Sequence, residues 1–126
     1  MKSTDVRIGN ICQHIIGGET IGQQCCIDAM DIVAITQFER SGHKSPYYPI
    51  LLTREWLLKV GLEERYAKDE WSWHLNKWNS YTEITKVDDG YKYHSDYPTI
   101  KYVHQLQNLY HSLTGEELVL KADATL

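Results

Sequence analysis

Tyr102-Val103-His104-Gln105-Leu106-Gln107-Asn108-Leu109-Tyr110-His111-Ser112-Leu113-Thr114-Gly115 is the stretch on which the reading of the fold turns. Its helical period, start signal and stop signal agree: Thr99, after Pro98, is placed as an N-cap, and Gly115 stands where a helix closes. At about 100° per residue, Tyr102, Val103, Leu106, Leu109, Tyr110 and Leu113 fall within an arc of about 120°, a core-facing stripe. Opposite them lie His104, Gln107, Asn108 and His111, a stripe almost without charge. Neutral imidazole and amide groups at this helical spacing suit one partner held by hydrogen bonds; a merely solvated face would read the same way.

Working back toward the N-terminus, the period changes to two. Trp71, Trp73 and Leu75 alternate with Ser72, His74 and Asn76, which places the large rings on one face of a strand. Tyr81–Val87 and Tyr91–His94 follow as a hairpin, with Asp89-Gly90 as its turn. Upstream, Thr53–Val60 predicts a short helix with Thr53 as cap, Leu52 and Leu57 as a hydrophobic staple and Gly61 as terminator. About two turns cannot persist alone, so this helix must dock through Trp56, Leu57 and Val60. Glu39–Pro49 reads as an exposed loop.

The first third reads as strand: Val6, Ile8, Ile11, Ile15 and Ile16 are β-branched, with a bulge or tight bend at Gly9-Asn10. A hairpin turn at Gly17-Gly18 leads into Thr20–Ile27, and after a connection at Asp28–Asp31 the apolar run Ile32–Ile35 predicts a buried strand. The expected fold is a single α+β domain over residues 1–126. It comprises a small antiparallel β-sheet or SH3-like barrel, a short docked helix, an aromatic-rich β-meander and one long C-terminal amphipathic helix packed across them.

A chain of 126 residues can bury one core without staples. Its formal charge of −4 speaks against binding nucleic acid mainly through phosphates. No apolar run is long enough to span a membrane and no leader pattern opens the chain, so the expected compartment is cytoplasm, the host's if the chain is phage-encoded. Cys12, Cys25 and Cys26 are expected as reduced, buried thiols. Cys12 and His14 share a side of a strand, but the cysteine spacing does not match a zinc site, so no metal and no cofactor is expected.

Three stretches in this order carry a resemblance: Val6-Arg7-Ile8-Gly9-Asn10, Pro49–Gly61, and Tyr102 through Glu117-Leu118. The chain resembles a family of small uncharacterised proteins from phages and prophages of Bacteroides-type gut bacteria. The polar letters of the last stretch match as well as the apolar ones. Departures are His111-Ser112, where an aromatic and an alanine are more usual, and Leu51, where a proline often stands. The resemblance implies a genomic setting and carries no catalytic residue with it.

The leading functional expectation is a non-enzymatic accessory protein that binds another macromolecule, a host protein for instance, through His104, Gln107, Asn108 and His111. The alternative is a single-stranded nucleic-acid binder that stacks bases on Trp71, Trp73, Trp78, Tyr81, Tyr91 and Tyr93 near Lys77, Lys86 and Lys92, although Glu83, Asp88 and Asp89 cancel those lysines. A third reading is a small hydrolase, assembled from Asp28 and Asp31 near His14 or from His74 near Glu83.

Overall fold

Residues 3–15, 23–74, 83–93 and 97–118 are described by the computed structural model. They divide into two compact units, one formed by Met1–Ile50 with Tyr102–Glu117, the other by Leu51–Lys101 with Leu118–Leu126. Each has its own antiparallel sheet, which bears out the α+β class. No helix among the described residues is long and apolar enough to cross a membrane.

In the first unit a 3₁₀ turn at Ser3–Asp5 precedes β1 (Ile11–His14), β2 (Gln23–Cys26), α1 (Ala29–Ser41) and β3 (Tyr47–Tyr48). The sheet order is β2-β1-β3, with Cys12 opposite Cys25 and His14 opposite Tyr47. Among the described residues, strands of four, four and two residues form an open sheet and not a closed barrel. Val6 and Ile8 are not strand, because the chain turns there: Asn10 N donates to Arg7 O at 3.0 Å and Arg7 N to Asn10 Oδ1 at 2.6 Å. Gly17-Gly18 lies outside the described residues.

The expected strand Ile32–Ile35 is the interior of α1. Asp28 Oδ1 accepts from Asp31 N at 2.8 Å while Asp31 Oδ2 accepts from Asp28 N at 2.9 Å, a reciprocal capping box. Such a cap stabilises by about 0.5–2 kcal/mol, and burying Ile35 adds about 1.5–3 kcal/mol. Together they outweigh the few tenths of a kcal/mol by which each β-branched residue disfavours helix. Ile35 joins Cys12, Ile27 and Tyr47 in a buried cluster, with Ile32 and Ala34 against it.

The C-terminal helix, α3, spans Val103–Thr114 and is shorter than expected. It does not start at Thr99 because Ile100 is extended, exchanging backbone hydrogen bonds with Tyr91 at 2.9 and 2.7 Å. Within the first unit Val103 N donates to Ile50 O at 2.9 Å, and Val103, Leu106 and Tyr110 are buried, whereas Leu113 is exposed.

The second unit opens with α2 (Arg54–Lys59), capped by Thr53 and docked through buried Trp56, Leu57 and Val60. Its end is a Schellman motif: Leu62 N donates to Leu57 O at 3.1 Å and Gly61 N to Leu58 O at 3.0 Å, with Gly61 at φ 94°. The meander β4-β5-β6-β7 follows, built from Glu63–Ala67, Glu70–His74, Ile84–Val87 and Gly90–Lys92. β4 and β5 are joined by Lys68-Asp69, both at positive φ, the backbone of a two-residue hairpin turn made without glycine. The β6–β7 turn is Asp88-Asp89 rather than Asp89-Gly90, since Val87 pairs with Gly90. Gly90 is needed for close approach instead: a Cβ there would lie 2.5 Å from Ile100 O.

Candidate functional site

Polar residues on α3 point inward, contrary to the solvent-facing stripe expected of them. His104 and Gln107 are 4% and 2% exposed. Gln107 Oε1 accepts from Ile11 N at 2.8 Å and its Nε2 donates to Gly9 O at 3.1 Å. Asn10 Nδ2 donates to Asn108 Oδ1 at 2.8 Å, and Arg7 pairs with Glu117 just beyond the helix. Gly9 N donates to Ile27 O and Asn10 O accepts from Ile27 N, which leaves Gly9 O and Ile11 N in need of other partners. The amide side chains supply them, so the uncharged stripe is a structural joint. It links the turn at Arg7–Asn10 to α3. His111 is half-buried and stays out of the joint.

His104 also borders a hollow of about 340 Å³ lined by Asp5, Pro49, Tyr102 and Gln105. Its ring lies parallel to that of Tyr102, centroids 5.9 Å apart, and its Nδ1 has no hydrogen-bond partner. Burial holds the imidazole below its ordinary value, with Asp5 opposing, so the ring is neutral at neutral pH.

A stronger candidate is the aromatic face of the meander. Strand register opposes Glu64 to Trp73, Tyr66 to Trp71, Trp73 to Ile84 and Lys86 to Tyr91, which places all seven on one face. Trp73, Ile84 and Tyr91 are buried, while Tyr66 and Trp71 remain 58% and 50% exposed. The rings support one another: Tyr66 and Trp71 centroids are 4.9 Å apart, and Trp73 meets Tyr91 edge-on at 5.4 Å. A trough of about 350 Å³ runs over this face, lined by Arg54, Glu64, Trp71, Trp73, Lys86 and Tyr91.

Its electrostatics are nearly balanced. Arg54 grips Glu64 through two nitrogens, and those bonds hold the Glu64 carboxyl below the usual range, with a smaller pull from the neighbouring Trp73 indole. Trp73 Nε1 is nevertheless buried without an acceptor in hydrogen-bond geometry. Lys86 Nζ lies 5.2 Å from the Tyr91 ring centroid. An adjoining hollow of the same unit shares Arg54, Lys86 and Tyr91 and carries Asp88 and Asp89.

Of the six aromatics expected as a stacking platform, Trp71, Trp73 and Tyr91 converge here. Tyr93 packs against Tyr97 instead, centroids 5.0 Å apart, and Trp78 and Tyr81 lie outside the described residues. Arg54, Glu64 and Tyr66 were not anticipated. Alternation of Glu64 and Tyr66 was the available signal, obscured because the Lys68-Asp69 turn lacks the usual residues.

Neither hydrolytic grouping has the geometry of a relay. Asp31 lies near His14, but its oxygens already accept from Asp28 N and from Tyr47 Oη at 2.6 Å. His74 does meet Glu83, at 3.4 Å, and Ser72 Oγ at 3.0 Å, yet both approach Nε2. A serine–histidine–acid relay needs the acid on the other ring nitrogen.

The cysteines are less uniform than expected: Cys12 is buried, Cys25 half-buried and Cys26 exposed. No known family, curated protein or solved structure matches the chain.

Proposed function

We propose that the chain is a non-enzymatic binding module that holds a protein partner in the aromatic trough of the meander. The observation that carries this reading is the convergence of half-exposed Trp71 with Arg54, Glu64 and Lys86 around a concavity that buried Trp73 and Tyr91 also line, with half-exposed Tyr66 packed against Trp71. Trp, Tyr and Arg are the residue types that dominate the energetics of protein interfaces. An aromatic or aliphatic side chain of the partner would cover Trp71. On the resemblance described above, the setting is a phage or prophage accessory role in the host cytoplasm, with a host protein as partner.

A single-stranded nucleic acid is the second reading, supported by Lys86 and Arg54 beside the same rings. Glu64 engages Arg54, and Asp88 and Asp89 stand beside Lys86, so among the described residues carboxylates offset the positive charge that would track a phosphate backbone. Proteins captured from host lysate should be retained by the native chain and lost with Trp71→Ala. A hot-spot ring contributes about 2 kcal/mol or more, at least a tenfold loss. Circular dichroism should show the variant folded. Equal capture by the variant would refute the trough, and salt-dependent quenching of tryptophan fluorescence by an oligonucleotide would favour the second reading.

A further inference from the structure

We infer that Cys12 and Cys25 form a dithiol site that closes to an intrachain disulfide by exchange with a small disulfide such as glutathione disulfide. Cys12 on β1 stands directly opposite Cys25 on β2, with their Sγ atoms 3.2 Å apart. Residues directly opposed in an antiparallel pair have Cα atoms about 4.5–5.5 Å apart. That falls inside the span of about 4.4–6.8 Å that a disulfide bridges, so closure asks for side-chain rotation and no strand movement.

Access is graded along the strand. Cys26 faces solvent, opposite Ile11; Cys25 is half-buried; Cys12 is sealed. The Cys25 thiolate attacks one sulfur of glutathione disulfide, forming a mixed disulfide and releasing one glutathione thiolate. Cys12 Sγ then attacks Cys25 Sγ and displaces the second glutathione. The two protein thiol protons go to the two released thiolates, so two protein thiols are oxidised as one disulfide is reduced. Burial and the negative charge of Asp31 both raise the thiol of Cys25 above its ordinary value, and burial raises that of Cys12 further. Closure is therefore slow at neutral pH and quickens as pH rises. Cys26 takes up glutathione in parallel but, opposite Ile11, has no resolving thiol across the sheet.

The test incubates the full native chain with glutathione disulfide and maps the linked peptides by non-reducing mass spectrometry. The native chain and Cys26→Ser should both yield a Cys12–Cys25 linkage with the loss of two hydrogens, and a higher Tm that dithiothreitol reverses. Cys25→Ser, checked for folding by circular dichroism, should yield only the Cys26 adduct. Mixed disulfides alone in Cys26→Ser, or a linkage through Cys26 in the native chain, would overturn the assignment.

Discussion

Gln107 shows how one side chain can decide what a helix face is for. Both ends of its amide are engaged, at 2.8 Å with Ile11 N and 3.1 Å with Gly9 O, in a site 2% exposed. Gln107→Ala leaves a buried amide and a carbonyl unpaired and should destabilise the fold by roughly 1–3 kcal/mol in urea unfolding. His111→Ala, outside the joint, should stay within about 0.5 kcal/mol. Replacing His104, Asn108 and His111 together by Ala should therefore lower the urea midpoint, where a solvated face would have left it unchanged. His104 adds a pH signature. Its folded value is held below 6.5 by burial, so the unfolded chain binds the extra proton first. Stability is complete above 6.5 and declines as pH falls from there toward the lowered folded value. Melting curves should show this decline, and His104→Gln should flatten it; an unchanged slope would mean the imidazole is not buried. Nothing in the helical period could reveal the inversion, because a buried polar joint and a wet face have the same letters. The distinction lies in Gly9 and Asn10, nearly a hundred residues away.

At the level of elements, what was legible is what short-range chemistry determines. Thr53 and Gly61 specify α2 and its Schellman end within a few residues of one another, and the structure has the cap and the terminator where the sequence puts them. Gly61→Ala forces a side chain onto φ 94° and should cost about 1–2 kcal/mol, measurable as a lower urea midpoint by tryptophan fluorescence. α1 was misread because Ile32–Ile35 favours strand locally, while the decisive signals, Asp28 paired with Asp31 and Gly42 at the far end, flank it. Asp28→Ala removes one half of the capping box and should destabilise the first unit by about 1 kcal/mol, read as lost helical circular dichroism on heating. β4 escaped notice for a related reason: Lys68 and Asp69 adopt positive φ, which sequence signals assign to glycine and asparagine. The aromatic trough was half legible. Alternating Trp71 and Trp73 announced its floor, but Arg54 and Glu64 reach it from α2 and β4, elements whose proximity only the tertiary fold supplies.

Across the whole molecule, the chain leaves the first unit after Ile50 and returns to it at Tyr102. Each unit has buried residues of its own: Cys12, Ile27, Ile35 and Tyr47 in one, Leu57, Leu62, Trp73 and Ile84 in the other. Backbone hydrogen bonds tie the ends of each excursion within its unit, Ile50 to Val103 at 2.9 Å in the first and Leu52 to Lys101 at 2.8 Å in the second. Separate cores tied off in this way predict separate unfolding. The residues themselves supply the reporters. All four tryptophans, Trp56, Trp71, Trp73 and Trp78, fall between Leu51 and Lys101, so indole fluorescence follows the second unit alone. Helical circular dichroism follows mainly the first, since α1 and α3 contribute 13 and 12 residues against six in α2. Urea titrations read by the two probes should give non-coincident midpoints, a departure from two-state behaviour. Gly61→Ala should then shift the fluorescence curve and leave the dichroism curve nearly in place, while Gln107→Ala should do the reverse. Coincident curves that move together in both variants would instead make the chain one cooperative block, in which the trough could not be loosened or ordered by a partner without engaging α3 as well.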